Sequence, residues 1–161
     1  MDAAPHWLPA PILLDHYRTW ESYLEALYGV FQADFVMDAP YLHGQRVNIN
    51  RRPIFDGKET TFWHIISEGG YDLDRVPAPR RCERVGWVRP VIENVNDAAI
   101  REWERVKNGE RRAYLWLLPT DYLIVLTKPP RYCQLITAYP IPQEHTKRRL
   151  LKEYEEYNKN R

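Results

Sequence analysis

Between Arg111 and Ile141 the chain reads RRAYLWLLPTDYLIVLTKPPRYCQLITAYPI, three apolar segments parted by Pro119-Thr120-Asp121 and by Lys128-Pro129-Pro130-Arg131. Connections this short hold a turn and nothing larger, so the segments are predicted to form an antiparallel meander. In the first two segments both alternating sets are apolar. Tyr114, Trp116 and Leu118 oppose Leu115 and Leu117, and Tyr122, Ile124 and Leu126 oppose Leu123 and Val125. A strand apolar on both sides belongs in the middle of a sheet with both faces covered. In the third segment a period of two places Cys133, Leu135, Thr137 and Tyr139 on one face. A hydroxyl and a phenol then project side by side, and chemistry on the sheet is expected on that face.

The rest of the chain supplies a frame for this meander. Ile100 to Val106, followed by the hairpin signal Asn108-Gly109, adds a preceding strand and gives a sheet of at least four. From Asp15 to Asp34, Trp20, Leu24, Leu27, Tyr28 and Phe31 recur at three- and four-residue spacing, which predicts a helix with Asp15 as its cap. Arg46 to Arg52 alternates Val47 and Ile49 with polar and basic residues, as a half-buried strand does. Thr61 to Ser67 is rich in β-branched and aromatic residues and is read as a strand, although its length also permits a short helix. Gly69 to Pro79 has no period and is read as a loop. Arg80 to Val95 has helical spacing interrupted by Gly86 and Pro90, which should bend or divide it. After Pro142, Leu150, Leu151, Tyr154 and Tyr157 mark the stripe of a terminal helix. The expected class is α+β: an antiparallel sheet with N-terminal and C-terminal helices packed on it. Residues 1–161 read as a single domain, with 1–14 an extended, proline-punctuated arm.

Several function classes are disfavoured. No apolar run approaches the roughly 20 residues that span a bilayer, and the N-terminus lacks the basic and apolar pattern of a secretion signal. No membrane partner is expected. Cys82 and Cys133 form no C-x-x-C pair, which suits a reducing cytoplasm. The histidines, His6, His16, His43, His64 and His145, show no metal-ligand spacing, so neither metal nor cofactor is expected. Dinucleotide-binding, P-loop and G-x-S-x-G signatures are absent too. Net charge is only +1, yet 17 arginines outnumber six lysines. Arginine suits planar recognition of phosphate or carboxylate, though an ordinary arginine-rich surface gives the same count.

His64 is the titratable residue that stands out, lying between Trp63 and Ile65 downstream of Arg51, Arg52 and Lys58. An imidazole can pass a proton either way near neutral pH, although a core histidine would fit the same spacing. Thr137 and Tyr139 are good strand formers in their own right, and Tyr41 or Trp87 could stack on an unpaired base or belong to the core.

Taken together, the aromatic N-terminal helix, Arg46-Val47-Asn48-Ile49-Asn50, Lys58 through Phe62-Trp63-His64-Ile65, Arg81-Cys82-Glu83-Arg84-Val85 with Trp87, and the closing LITAYPI resemble the phage-associated branch of the barnase, EndoU, colicin and RelE-like nuclease superfamily. The resemblance spans roughly Trp20 to Glu155. It implies a metal-independent endoribonuclease combining a histidine, a basic side chain and a hydroxyl-bearing residue. The histidine would be His64 and the hydroxyls Thr137 and Tyr139. The basic member could be Lys58, Arg81, Arg84 or Arg89; Arg84 is favoured as catalytic, with Lys58, Arg81, Arg89 and Arg52 as substrate-binding groups. The expected partner is RNA, and a cognate inhibitor protein would suit a toxin-like role. Two other readings stand beside it: a non-catalytic module of the same fold that binds nucleic acid or protein, and an accessory or structural protein of a phage.

Overall fold

The computed structural model describes residues 3–69, 74–130 and 133–161. In chain order its elements are helix α1 (Trp20–Phe31), strands β1 (Tyr41–Leu42) and β2 (Gln45–Asn48), helix α2 (Thr60–Ile66), strands β3 (Ser67–Glu68) and β4 (Val76–Pro77), helices α3 (Pro79–Glu83) and α4 (Val88–Glu93), strands β5 (Ile100–Lys107), β6 (Glu110–Leu117), β7 (Tyr122–Thr127) and β8 (Cys133–Pro140), and helix α5 (Glu144–Lys159). Part of the expected loop from Gly69 to Pro79, at 70–73, lies outside the described residues. So do Arg131 of the expected second turn and residues 1–2 of the arm.

The expected meander is β5 to β8. Asn108 and Gly109 both take positive φ, 54° and 75°, which two-residue hairpin turns require. β6 and β7 lie inside a six-stranded sheet ordered β1-β2-β8-β7-β6-β5, where their two apolar faces can both be covered. One face carries the main core. Leu115, Leu117, Ile124 and Leu126 meet Leu27 and Phe31 of α1, Phe62, Ile65 and Ile66 of α2, and Val88 and Ile92 of α4. The other face carries Trp103, Tyr114, Trp116, Leu123 and Val125 under Leu150, Leu151 and Tyr154 of α5.

Four expectations are corrected. The sheet is mixed, because β2 joins β8 in parallel with Val47 beside Cys133 and Asn48 beside Gln134. β2 also stops at Asn48, short of the expected Arg52. Parallel neighbours need a long crossover, and here α2 to α4 and most of the meander provide it. Second, Thr61 to Ser67 is helical apart from its last residue: α2 buries Phe62, Ile65 and Ile66, a three- and four-residue spacing that overrides β propensity. Third, α1 starts later than expected. Its cap is Thr19 rather than Asp15: Thr19 Oγ1 accepts from Ser22 N at 3.0 Å while Ser22 Oγ accepts from Thr19 N at 3.3 Å.

The fourth correction bears on the site. Leu135 pairs with Leu126, whereas Thr137 pairs with Val125, so β8 carries an irregularity at Ile136. Cys133, Leu135 and Ala138 face the main core, while Thr137 and Tyr139 turn to the layer of Val125 and Leu123. Thr137 and Tyr139 share a face as expected, but not with Cys133 and Leu135. The helical stretch expected from Arg80 to Val95 is divided as predicted, into α3, a 3-10 turn at Val85–Trp87, and α4. Among the described residues no helix is long and apolar enough to cross a membrane.

Beyond α1 the chain makes a π-helical turn, Gln32–Val36, which half-buries Asp34. Burial pushes the Asp34 carboxyl up to about 6; Arg89 opposes the rise and Glu93 adds to it. A carboxyl raised above its unfolded value near 3.8 costs nothing below that pH, where both states are neutral. It costs progressively more as pH rises to about 6 and its full amount above. In a dry site that separation is worth about 3 kcal/mol, and water reaching a half-buried group reduces it to about 1–2 kcal/mol. Asp34→Asn is therefore expected to be more stable than wild type by about that amount at pH 7.5 and equal to it near pH 3.5. Urea denaturation at the two pH values measures this, and an equal difference at both would refute it.

Candidate functional site

Helix α2 has only seven residues, and its last carbonyls lack partners within the helix. Distant parts of the chain supply them. Thr137 Oγ1 donates to the His64 carbonyl oxygen at 3.2 Å, Arg75 Nη2 donates to it at 3.1 Å, and Arg81 Nη1 at 3.2 Å. The same Arg81 nitrogen donates to Ser67 O at 2.7 Å, and Arg75 Nη2 also reaches that oxygen. Arg75 is further fixed by Ser67 Oγ at 3.1 Å and Gly69 O at 3.0 Å. Two cations at a helix C-terminus also oppose its negative dipole end.

Arg81 lies over the Tyr139 ring at 5.1 Å. Burial, and after it the nearby Arg75 charge, lower the Arg81 pKa. Tyr139 is half-buried; burial raises its phenol pKa, and the charges of Arg149 and Arg81 only partly offset that. At neutral pH the phenol therefore keeps its proton and serves as a donor, not a base. The layout joins His64 of α2, Arg75 before β4, Arg81 of α3, and Thr137 and Tyr139 of β8.

Cavities open beside this junction. One of about 320 Å³ is lined by Pro53, Ile54, Phe55, Trp63, His64 and Arg75, with Thr60, Ser67 and Pro77 completing it. A larger cleft of about 780 Å³ is bordered by Arg80, Arg81, Arg84 and Tyr139, with Glu68 and Asp121 as its acidic members. Arg81 borders the cleft and bonds to the carbonyls of His64 and Ser67, two residues that line the smaller cavity. A third space of about 130 Å³ touches Thr137, Tyr139 and Arg149.

Of the residues singled out from sequence, Arg81 and Thr137 meet at the main-chain carbonyl of His64 and Tyr139 lies under Arg81, while the His64 side chain lines the smaller cavity. Arg84, favoured as the basic member of the site, borders the cleft but is engaged elsewhere. Its Nη1 donates to Arg80 O at 2.8 Å and pairs with Glu83 at 3.1 Å, and its guanidinium lies over Trp87 at 5.0 Å. Lys58 is only 7% exposed; it pairs with Glu25 at 2.9 Å and sits over Tyr28, a structural placement. Arg89, within α4, is tied to Asp34 O, Asp38 and Glu93. Arg52 is exposed beside Pro53 and lines neither the cavity nor the cleft. Trp87 is 5% exposed with its Nε1 donating to Pro9 O, so it is core rather than a stacking platform. Tyr41 is exposed.

Sequence reasoning missed Arg75, Phe55 and Trp63. Arg75 lies in a stretch without period, and its reach to α2 depends on tertiary folding. Trp63 was visible as part of FWHI, but its exposed side follows only once the segment is a helix. Among the described residues no group of three or more His, Cys, Asp or Glu is gathered as for a metal ion. Comparison of the chain with protein-family models, curated proteins and solved structures found no match.

Proposed function

We propose that the protein is an endoribonuclease that cuts RNA with its own side chains. The observation that carries this reading is the convergence of Thr137, Arg75 and Arg81 on the carbonyl of His64, with Tyr139 packed against Arg81. RNA cleavage by the neighbouring 2′-hydroxyl needs a group to take that proton, a group to protonate the leaving oxygen, and positive charge where the phosphorane charge builds. His64 is the proton-transfer group, the Arg81 and Arg75 guanidiniums supply fixed charge, and the Tyr139 phenol is a proton-bearing donor. Thr137 positions α2 by holding the carbonyl of the histidine. This revises the basic member from Arg84 to Arg81 and Arg75, because those two guanidiniums reach the histidine's own peptide group. A phage or prophage setting follows from the resemblance alone.

A second reading, an RNA-binding module without catalysis, is favoured by one feature: Thr137 and Arg81 spend donors on main-chain carbonyls and so hold the local fold. One assay separates the two. Purified protein incubated with RNA in excess chelator is expected to give fragments ending in 2′,3′-cyclic phosphate. Retarded but intact RNA would select the binding module, and RNA neither bound nor cut would end both readings.

A further inference from the structure

We propose that the 320 Å³ cavity beside His64 is a base pocket that receives one unpaired nucleobase, making single-stranded RNA the substrate. The inference rests on RNA being the ligand, as argued above, and adds what part of it is recognised. The cavity is at the small end of ligand pockets, with room for one planar ring system. Its rim exposes large apolar side chains to water, Ile54 and Phe55 each at 59%. Phe55 and Trp63 meet edge to face at 5.6 Å and 76°.

These rings are held in place. Phe55 and Lys58 exchange two backbone hydrogen bonds, both 3.0 Å, and Trp63 Nε1 donates to Phe55 O at 2.9 Å. Thr60 Oγ1 donates to Pro53 O and fixes the entry to the turn. With its backbone braced and its ring packed against Trp63, Phe55 loses less side-chain freedom when a base stacks on it than an unsupported aromatic would. Every base has a π-face, which suits such a platform to unpaired bases of any identity.

The choice of a base over a neutral apolar ligand comes from the surroundings. Arg75 shares the cavity with the rings, so its occupant meets apolar surface and a guanidinium charge together, which suits a base carrying a phosphate. The cleft that begins at Glu68, next in the chain after Ser67, carries exposed Arg80 beside Arg81 as cations for the neighbouring phosphates. A paired base is already stacked and cannot enter, so a duplex is excluded unless it opens.

The test uses full-length protein and a fluorescein-labelled single-stranded DNA hexamer, which lacks the 2′-hydroxyl and is not cut by the route proposed above. Binding is followed by anisotropy, with RNA cleavage assayed in parallel. Phe55→Ala is expected to weaken hexamer binding roughly 10- to 100-fold. Phe55→Leu, which keeps apolar bulk without the ring, should weaken it similarly, and both should leave the thermal midpoint near that of wild type. An abasic hexamer should lose about as much at one position, with no further loss when combined with Phe55→Ala. Annealing the complement should abolish the Phe55-dependent part. Wild-type-like binding by both variants, or duplex bound as tightly as single strand, would overturn the pocket. If RNA is still cut in that case, the nuclease reading survives alone. Phe55-dependent binding without RNA cleavage would keep the pocket and remove the nuclease.

Discussion

Trp103→Ala is expected to destabilise the protein by about 3–5 kcal/mol, the usual cost of emptying a buried tryptophan site. Trp103 has no exposed surface and lies under α5. It stacks on Tyr114 at 5.2 Å and 11°, and meets the edges of Trp116 at 6.4 Å and Tyr154 at 5.9 Å. Such a loss is a large share of the roughly 5–15 kcal/mol by which domains are stable. The Trp103 indole N–H is buried without a hydrogen-bond partner, itself a cost of about 1–3 kcal/mol. Trp103→Phe removes that orphan along with some packing and should lose less than half as much. Urea unfolding measures both. A loss below about 1 kcal/mol for Trp103→Ala would mean that α5 does not form a packed second layer.

The contrast between what was legible in the sequence and what was not follows the range of the forces involved. Asn108-Gly109 announced its hairpin because the required φ values are a property of two adjacent residues. The two-sided apolar character of Tyr114 to Leu118 and Tyr122 to Leu126 announced strands inside the sheet. The parallel partnership of Val47 with Cys133 left no local trace, since it joins residues 86 positions apart. α2 was misread because β-branched content outweighed the Phe62, Ile65, Ile66 spacing, which is the better signal in a short buried helix. In the candidate site, the residue types at His64, Thr137 and Tyr139 were legible. Which guanidinium joins them was not: Arg81 and Arg84 stand in the same motif, yet Arg81 and Arg75 are the ones whose side chains reach α2. The irregularity at Ile136 was likewise invisible, and without it Thr137 would face the main core with Leu135.

His64→Ala is expected to lower RNA cleavage by roughly 10²- to 10⁴-fold, the range for loss of a general acid or base. That is about 2.7–5.5 kcal/mol of transition-state stabilisation. The arrangement around residue 64 makes the variant informative. Thr137, Arg75 and Arg81 bond to its main-chain carbonyl, which alanine keeps, so the substitution removes the imidazole while leaving the junction its hydrogen bonds. The thermal midpoint recorded alongside shows whether the variant is folded, and hexamer binding should fall far less than the rate. A fall in kcat with KM nearly unchanged would place the imidazole at the transition state, whereas a rise in KM alone would make His64 a binding residue. Full activity in a folded His64→Ala protein would remove the histidine from the chemistry. The junction of α2, α3 and β8 would then be a structural clasp, and any cleavage would need another proton-transfer group.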